Sequence, residues 1–112
     1  MTYELCKKLK DAGFPQKYGE IYKWILSDNS RVAVMRVESY PDACYDPTLS
    51  DLIDACGVGS FELFSNYSQS SWIATMRIAI KDSIVGDAKV ISASGHYLEE
   101  AVANLWLKLN KI

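Results

Sequence analysis

The pattern of apolar and polar residues near the C-terminus predicts an amphipathic helix. Between Tyr97 and Asn110 the apolar residues recur at intervals of three and four, which places them on one side of a helix with roughly 3.6 residues per turn. This stripe consists of Leu98, Ala101, Val102, Leu105, Trp106 and Leu109. Because such a stripe must be buried against another element, we expect the helix to cover a sheet.

Two shorter helices are predicted from their end signals. Thr2 can cap a helix over residues 3–12, and Gly13 supplies the left-handed backbone position that ends it. A second helix is expected to have Pro47 at its first position, because proline needs no hydrogen bond there, and to end at Gly57. Its cap is either Asp46 or Thr48.

Alternating or continuous apolar runs predict five strands, at residues 20–26, 31–38, 61–66, 72–81 and 89–93. The first two are separated by Ser27-Asp28-Asn29-Ser30, small polar residues typical of a tight turn. Adjacent strands joined by short turns favour antiparallel pairing. We therefore predict a single α+β domain over residues 1–112, with element order α-β-β-α-β-β-β-α and a mainly antiparallel five-stranded sheet covered by helices.

Composition and charge favour a compact protein and narrow the choice of partners. Of 112 residues, 49% are apolar and 23% are charged, as in ordinary globular domains. The net charge of −2 gives no attraction to phosphate backbones, which argues against nucleic acid. No apolar run approaches the ~20 residues needed to cross a bilayer, and no signal peptide is recognisable. Three widely spaced cysteines indicate reduced thiols, so we expect a cytoplasmic protein without a membrane partner.

Several segments resemble a family of small uncharacterised bacteriophage and prophage proteins. They are Pro47-Thr48-Leu49-Ser50-Asp51-Leu52-Ile53-Asp54-Ala55-Cys56-Gly57, then Trp72-Ile73-Ala74, then Gly95, and then Glu99-Glu100-Ala101-Val102-Ala103-Asn104-Leu105-Trp106-Leu107. The resemblance covers roughly the C-terminal two thirds and implies a fold similar to phage α-β-α sandwich domains in a bacterial host cell. It brings no catalytic residues. Tyr97-Leu98 replaces the Thr-Pro helix start that is common in this pattern, which removes a good N-cap.

The residues that could carry chemistry are one histidine and three cysteines. Cys6, Cys44, Cys56 and His96 equal the number of ligands of a structural zinc ion, but they lack the close pairs that such sites use, so we expect neither metal nor cofactor. Cys44, which we expect to be the most exposed of the thiols, and His96 could form a nucleophile and base in space. A small enzyme with a Cys/His site is therefore an alternative.

A second alternative is a module that binds single-stranded nucleic acid. Tyr22 and Trp24 alternate with a lysine on a predicted strand, and three arginines, Arg31, Arg36 and Arg77, lie on neighbouring strands. Exposed aromatic rings on a sheet can stack on bases. At this net charge, burial of the aromatic rings under a helix is the favoured interpretation.

The favoured function is an interaction with another protein. Leu107 lies opposite the apolar stripe of the last helix, and Ile84 and Val85 lie in the loop before the fifth strand. If these three side chains share a patch, they form an interaction surface. We therefore expect a non-enzymatic phage or prophage accessory protein that binds a host or phage protein, or a second copy of itself.

Overall fold

The described part of the chain forms two separate three-stranded antiparallel sheets and three α-helices, in an α+β fold. The computed structural model describes residues 1–36, 40–57, 60–79 and 88–110. The chain divides into two compact units, Met1–Thr48 and Leu49–Ile112, and each unit contains one of the sheets. The α+β class and the antiparallel pairing are confirmed, and the single domain over residues 1–112 stays a prediction.

The N-terminal unit begins with helix α1, Tyr3–Asp11, at the place that its end signals predict. The Thr2 hydroxyl accepts a hydrogen bond from the Leu5 backbone N–H at 3.4 Å, so Thr2 is the N-cap. Gly13 follows the helix with a φ of 94°, a conformation that disfavours other residues. Cys6 and Leu9 turn inward from α1 and are fully buried.

Three short strands form the sheet of this unit. They are β1 (Trp24–Ile25), β2 (Arg31–Val32) and β3 (Cys44–Tyr45), in the order β2-β1-β3. Trp24 pairs with Val32 on one side and with Tyr45 on the other. The predicted turn between β1 and β2 is present: the Asp28 carboxylate accepts hydrogen bonds from the Ser30 N–H and hydroxyl, and the Asn29 N–H donates to the Leu26 carbonyl.

The predicted five-stranded sheet is wrong, because the first two predicted strands are short and belong to a sheet of their own. At the start of the predicted run 20–26, Gly19 has a φ of 136° and its carbonyl accepts a hydrogen bond from the Tyr22 N–H, which makes a turn. Pairing of β1 with β2 then covers only two residues. The other partner of β1 is β3, which lies in a stretch that the sequence pattern predicts to be irregular.

The C-terminal unit contains helix α2 (Leu49–Ala55) and three longer strands, β4 (Ser60–Asn66), β5 (Ser71–Ala79) and β6 (Ala88–Gly95), in the order β4-β5-β6. A 3₁₀ turn, Tyr67–Gln69, joins β4 to β5. Helix α2 begins two residues after Pro47, with Thr48 at the cap position, and Gly57 follows it with a φ of 89°. The long strands agree with the predicted runs in this half of the chain.

Helix α3, Leu98–Leu109, covers one face of this sheet, as its apolar stripe predicts. It packs on β5, on β6 and also on α2, so it is buried over a wider arc than the stripe. Ala103, outside the stripe, is fully buried. Tyr97 occupies the N-cap position and makes no capping hydrogen bond from its side chain, which confirms the loss predicted there.

Candidate functional site

The second face of the β4-β5-β6 sheet, opposite α3, carries exposed side chains among the described residues of the C-terminal unit. The register pairs Phe64 with Ile73, and Thr75 with both Glu62 and Ser92, so their side chains lie on one face. We call this the open face; its described side chains are Glu62, Phe64, Asn66, Ser71, Ile73, Thr75, Arg77, Ala88, Val90, Ser92 and Ser94. The opposite face carries Ala74, Met76 and Ala93, which are buried under α3.

The open face combines exposed apolar groups with a polar centre. Phe64 is 45% exposed at one end and Val90 is 53% exposed toward the other. Between them the hydroxyls of Thr75 and Ser92 lie 2.9 Å apart and form a hydrogen bond across β5 and β6. This face offers apolar anchors separated by hydrogen-bonding groups, without one continuous apolar patch.

A shallow depression of about 270 Å³ lies at one end of the open face. Five of its eight lining residues carry a hydroxyl or amide side chain and one carries an ammonium group, while their carbon atoms supply slightly more than half of the exposed lining; the residues are Asn66, Gln69, Ser71, Ile73, Ser92, Ala93, Ser94 and Lys108. Pockets that enclose small molecules are usually larger, about 300–1,000 Å³, and mostly apolar. Because the depression is small and shallow, it suits contacts with a larger partner, both polar and apolar, better than the enclosure of a small substrate.

The cysteines are placed as core residues, which overturns the expected exposure of Cys44. Cys6 and Cys44 are 0% and 1% exposed and pack with Ile25 in one cluster. Burial raises the pKa of the Cys6 thiol to about 12 and that of the half-buried Cys56 thiol to about 11. Burial also raises the pKa of Cys44, against the opposing effect of Lys10. A raised pKa favours the protonated thiol, which is a poor nucleophile and a poor metal ligand.

His96 is exposed just before α3, in the C-terminal unit, whereas Cys44 lies in the N-terminal unit. The His96 backbone N–H donates to the Glu100 carboxylate at 3.2 Å, and the His96 ring lies edge-on to Tyr97 at 4.8 Å. Among the described residues, no group of three or more His, Cys, Asp or Glu side chains is placed to hold a metal ion. The Cys44–His96 pair itself stays a prediction.

The aromatic side chains that were predicted to form a sheet face in the N-terminal half are buried or half-buried. Trp24 is only 2% exposed, and its indole N–H donates to the Lys17 carbonyl at 2.5 Å. Tyr22 is half-buried, with its ring 5.9 Å from that of Tyr45. Arg77 belongs to the other sheet, so it does not lie on a strand next to Tyr22 as predicted. Burial is confirmed for Trp24, whose ring lies beside those of Tyr18 and Tyr45, and cover of these rings by a helix stays a prediction.

The predicted interaction surface is only partly within the described structure. Leu107 is half-buried on α3, next to the wide buried arc of that helix. Ile84 and Val85 lie outside the described residues. An interaction surface of Leu107, Ile84 and Val85 therefore stays a prediction.

Phe64 and Val90 were not predicted as surface residues, although the sequence of β4 carries a signal for Phe64. In the run Phe61-Glu62-Leu63-Phe64, the alternation places Phe64 on the same side as Glu62, which is the side facing solvent. An apolar residue that shares a face with a carboxylate indicates an exposed apolar position. Val90 could be placed only once its pairing with Arg77 was known.

Comparison of the chain with protein-family models, curated proteins and solved structures gives no match. Within the described ranges, no helix has both the length and the apolar character needed to span a membrane. The chain's own surfaces are therefore the basis for assigning its function.

Proposed function

We propose that this chain is a non-catalytic accessory protein of a bacteriophage or prophage that binds another protein, of host or phage origin, through the open face. The assignment to phage rests on the resemblance of its α2, β5 and α3 segments to phage proteins. The assignment to protein binding rests on one observation: the open face exposes Phe64 and Val90 on a sheet whose strands pair along their length.

The layout of the open face supports a protein partner. Protein interfaces combine a few apolar or aromatic anchors with a polar, hydrogen-bonding surround. Phe64 supplies an aromatic anchor, and the Thr75–Ser92 pair and the depression beside Asn66 supply hydrogen-bonding groups. The sheet buries Ala74 and Met76 on its other face, so the exposed side chains are not needed for its core.

The environment of the thiols favours binding over catalysis. An activated cysteine usually has a lowered pKa and some exposure to solvent. Cys44 has the opposite properties, since it is buried and its pKa is raised. A small enzyme with a Cys/His site therefore remains an alternative that this environment does not favour.

The proposal is tested by affinity purification from phage-infected bacterial cells. Three tagged forms are compared: the natural sequence, a double variant Phe64→Ser and Val90→Ser, and a control double variant Ile21→Ser and Met35→Ser. The control removes two other apolar side chains that are 82% and 58% exposed, in the N-terminal unit. We expect a protein that co-purifies with the natural sequence and the control but not with the open-face variant.

Thermal unfolding of the three forms shows whether a lost interaction reflects lost folding. Substitutions of exposed side chains usually change stability by about 0.5 kcal/mol or less, so all three should unfold at similar temperatures. A partner retained equally by the open-face variant would show that the open face is not the binding surface.

A further inference from the structure

The two edge strands of the β4-β5-β6 sheet, β4 and β6, differ in the hydrogen bonds that they receive from the rest of the C-terminal unit. On the β6 side, α3 donates two hydrogen bonds to the strand: Asn104 Nδ2 to the Ser94 carbonyl at 2.9 Å, and Lys108 Nζ to the Ser92 carbonyl at 2.6 Å. Four residues of helix rise about 6 Å and two residues of strand about 6.6 Å, so the two donors match the two acceptors. Helix α3 thereby occupies acceptors of the β6 edge strand.

The β4 edge has no such cover within the described ranges. Strand β4 spans seven residues and pairs only with β5 there. A strand at the edge of a sheet presents outward N–H and C=O groups that an added extended chain can pair with. Proteins commonly protect such edges with lysine or proline, and residues 60–66 contain neither.

We propose, resting on the protein-binding function above, that the partner adds an extended segment antiparallel to β4, with a basic side chain opposite Glu62 and an apolar one opposite Leu63. Glu62 is exposed and is the one charged residue of β4, so a cation opposite it makes a favourable cross-strand pair. Leu63 is half-buried on the face that carries the core, so an apolar neighbour extends that core.

The charge of β4 favours a different protein over a second copy of this chain. Because β4 has one acid and no base, self-pairing in any register leaves Glu62 without an opposite charge. A register that brings the two Glu62 side chains together adds repulsion. A partner segment with lysine or arginine at this position avoids both problems.

The test uses a synthetic seven-residue peptide, Thr-Thr-Tyr-Val-Lys-Val-Thr, designed so that its lysine lies opposite Glu62 in antiparallel pairing. Amide hydrogen exchange of β4 is followed by NMR with and without millimolar peptide. Because these amides exchange while the protein is free of peptide, their exchange rate should fall by a factor of 1 + [peptide]/Kd. This is about tenfold when the peptide concentration is ten times the Kd. We expect this slowing at outward amides of β4, while the remaining strands keep their rates.

A charge exchange gives the matched control. Glu62→Lys should abolish the slowing with the lysine peptide and produce it with a peptide that carries glutamate at the same position. Glu20→Lys, which reverses an exposed acid of the N-terminal unit, should leave the response to the lysine peptide unchanged.

Two results would overturn the proposal. One is unchanged exchange of the β4 amides with the lysine peptide; the other is exchange that slows with protein concentration alone, which would assign the edge to a second copy. The edge inference can fail while the proposed function holds: if the captured partner needs Phe64 and Val90 but leaves the β4 amides unprotected in the complex, protein binding stands and the edge inference is wrong. If no partner depends on Phe64 and Val90, the proposed function itself is wrong.

Discussion

The two sheets of this protein are stabilised in different ways. In the sheet of the N-terminal unit each strand has two residues, and side chains bind the backbone around it. Gln16 joins two segments there, because its side chain donates to the Phe14 carbonyl and accepts from the Tyr45 N–H at 2.8 Å. In the C-terminal unit, strands of seven to nine residues pair along their length and one face is covered by α3.

This difference indicates where single side chains matter. A long ladder distributes its stability over many backbone hydrogen bonds. In such a sheet, single substitutions are expected to cost most where side chains pack against the covering helix. A sheet with two-residue strands has few ladder bonds, so individual side-chain hydrogen bonds such as that of Gln16 carry more of the structure. The longer ladder also gives the proposed binding site on the open face a more regular support than the two-residue strands would.

The largest expected effect is loss of packing between α3 and the C-terminal sheet. Trp106 is 5% exposed, and Trp106→Ala should lower the free energy of unfolding by about 3–5 kcal/mol. Leu107→Ala, at the next position of the same helix, is the control and should cost clearly less because Leu107 is only half-buried. Urea unfolding measures both variants; equal costs would place Leu107 in the core and remove it as a surface residue.

A smaller effect is expected where β6 meets the start of α3. A Cβ atom at Gly95 would lie 2.5 Å from the Ala101 nitrogen and 2.6 Å from Glu100 Cβ. Gly95→Ala should therefore cost about 1–3 kcal/mol, since the first turn of α3 must move. Ser94→Ala, at the exposed neighbouring position, should change the urea midpoint little. An unchanged midpoint for Gly95→Ala would mean that α3 is not held closely against the strand.

In the N-terminal unit, loss of one side-chain hydrogen-bonding group should be costly. Gln16→Ala removes an acceptor of the buried Tyr45 N–H and a donor to the buried Phe14, which should cost about 1–3 kcal/mol. Gln69→Ala removes the same group from an exposed turn of the C-terminal unit and should have almost no effect. If the two variants unfold at the same urea concentration, the contrast between the sheets does not hold.

Local patterns predicted the elements whose signals lie within one segment. Thr2 and Gly13 mark the ends of α1, and the apolar stripe marks α3, because caps and helical periodicity depend on residues a few positions apart. The alternation in residues 72–78 predicted which side of β5 is buried, as Ala74 and Met76 show. For these elements the local preference and the final fold agree.

Long-range pairing was not predictable in the same way. Residues 20–36 are rich in aromatic and β-branched side chains, which favours long strands, but a turn follows Gly19 and β1 pairs over two residues with each of its neighbours, β2 and Cys44–Tyr45. Nothing in the local pattern of residues 39–46 indicates a strand partner so far along the chain. The open face was missed for a related reason, because Val90 joins it only through its register with β5.

The smallest expected effect concerns the covered β6 edge. The double variant Asn104→Ala and Lys108→Ala removes both α3 donors to β6 and should cost about 1 kcal/mol in total, or about 0.5 kcal/mol for each hydrogen bond, because both bonds are exposed. The freed Ser92 and Ser94 carbonyls can then pair with another chain, so we expect the apparent mass in sedimentation to rise with protein concentration. Lys8→Ala, which removes an exposed lysine from helix α1 of the N-terminal unit, is the control and should leave the mass unchanged. If the double variant keeps the mass of the natural sequence, α3 is not what protects this edge, and the contrast with β4 disappears.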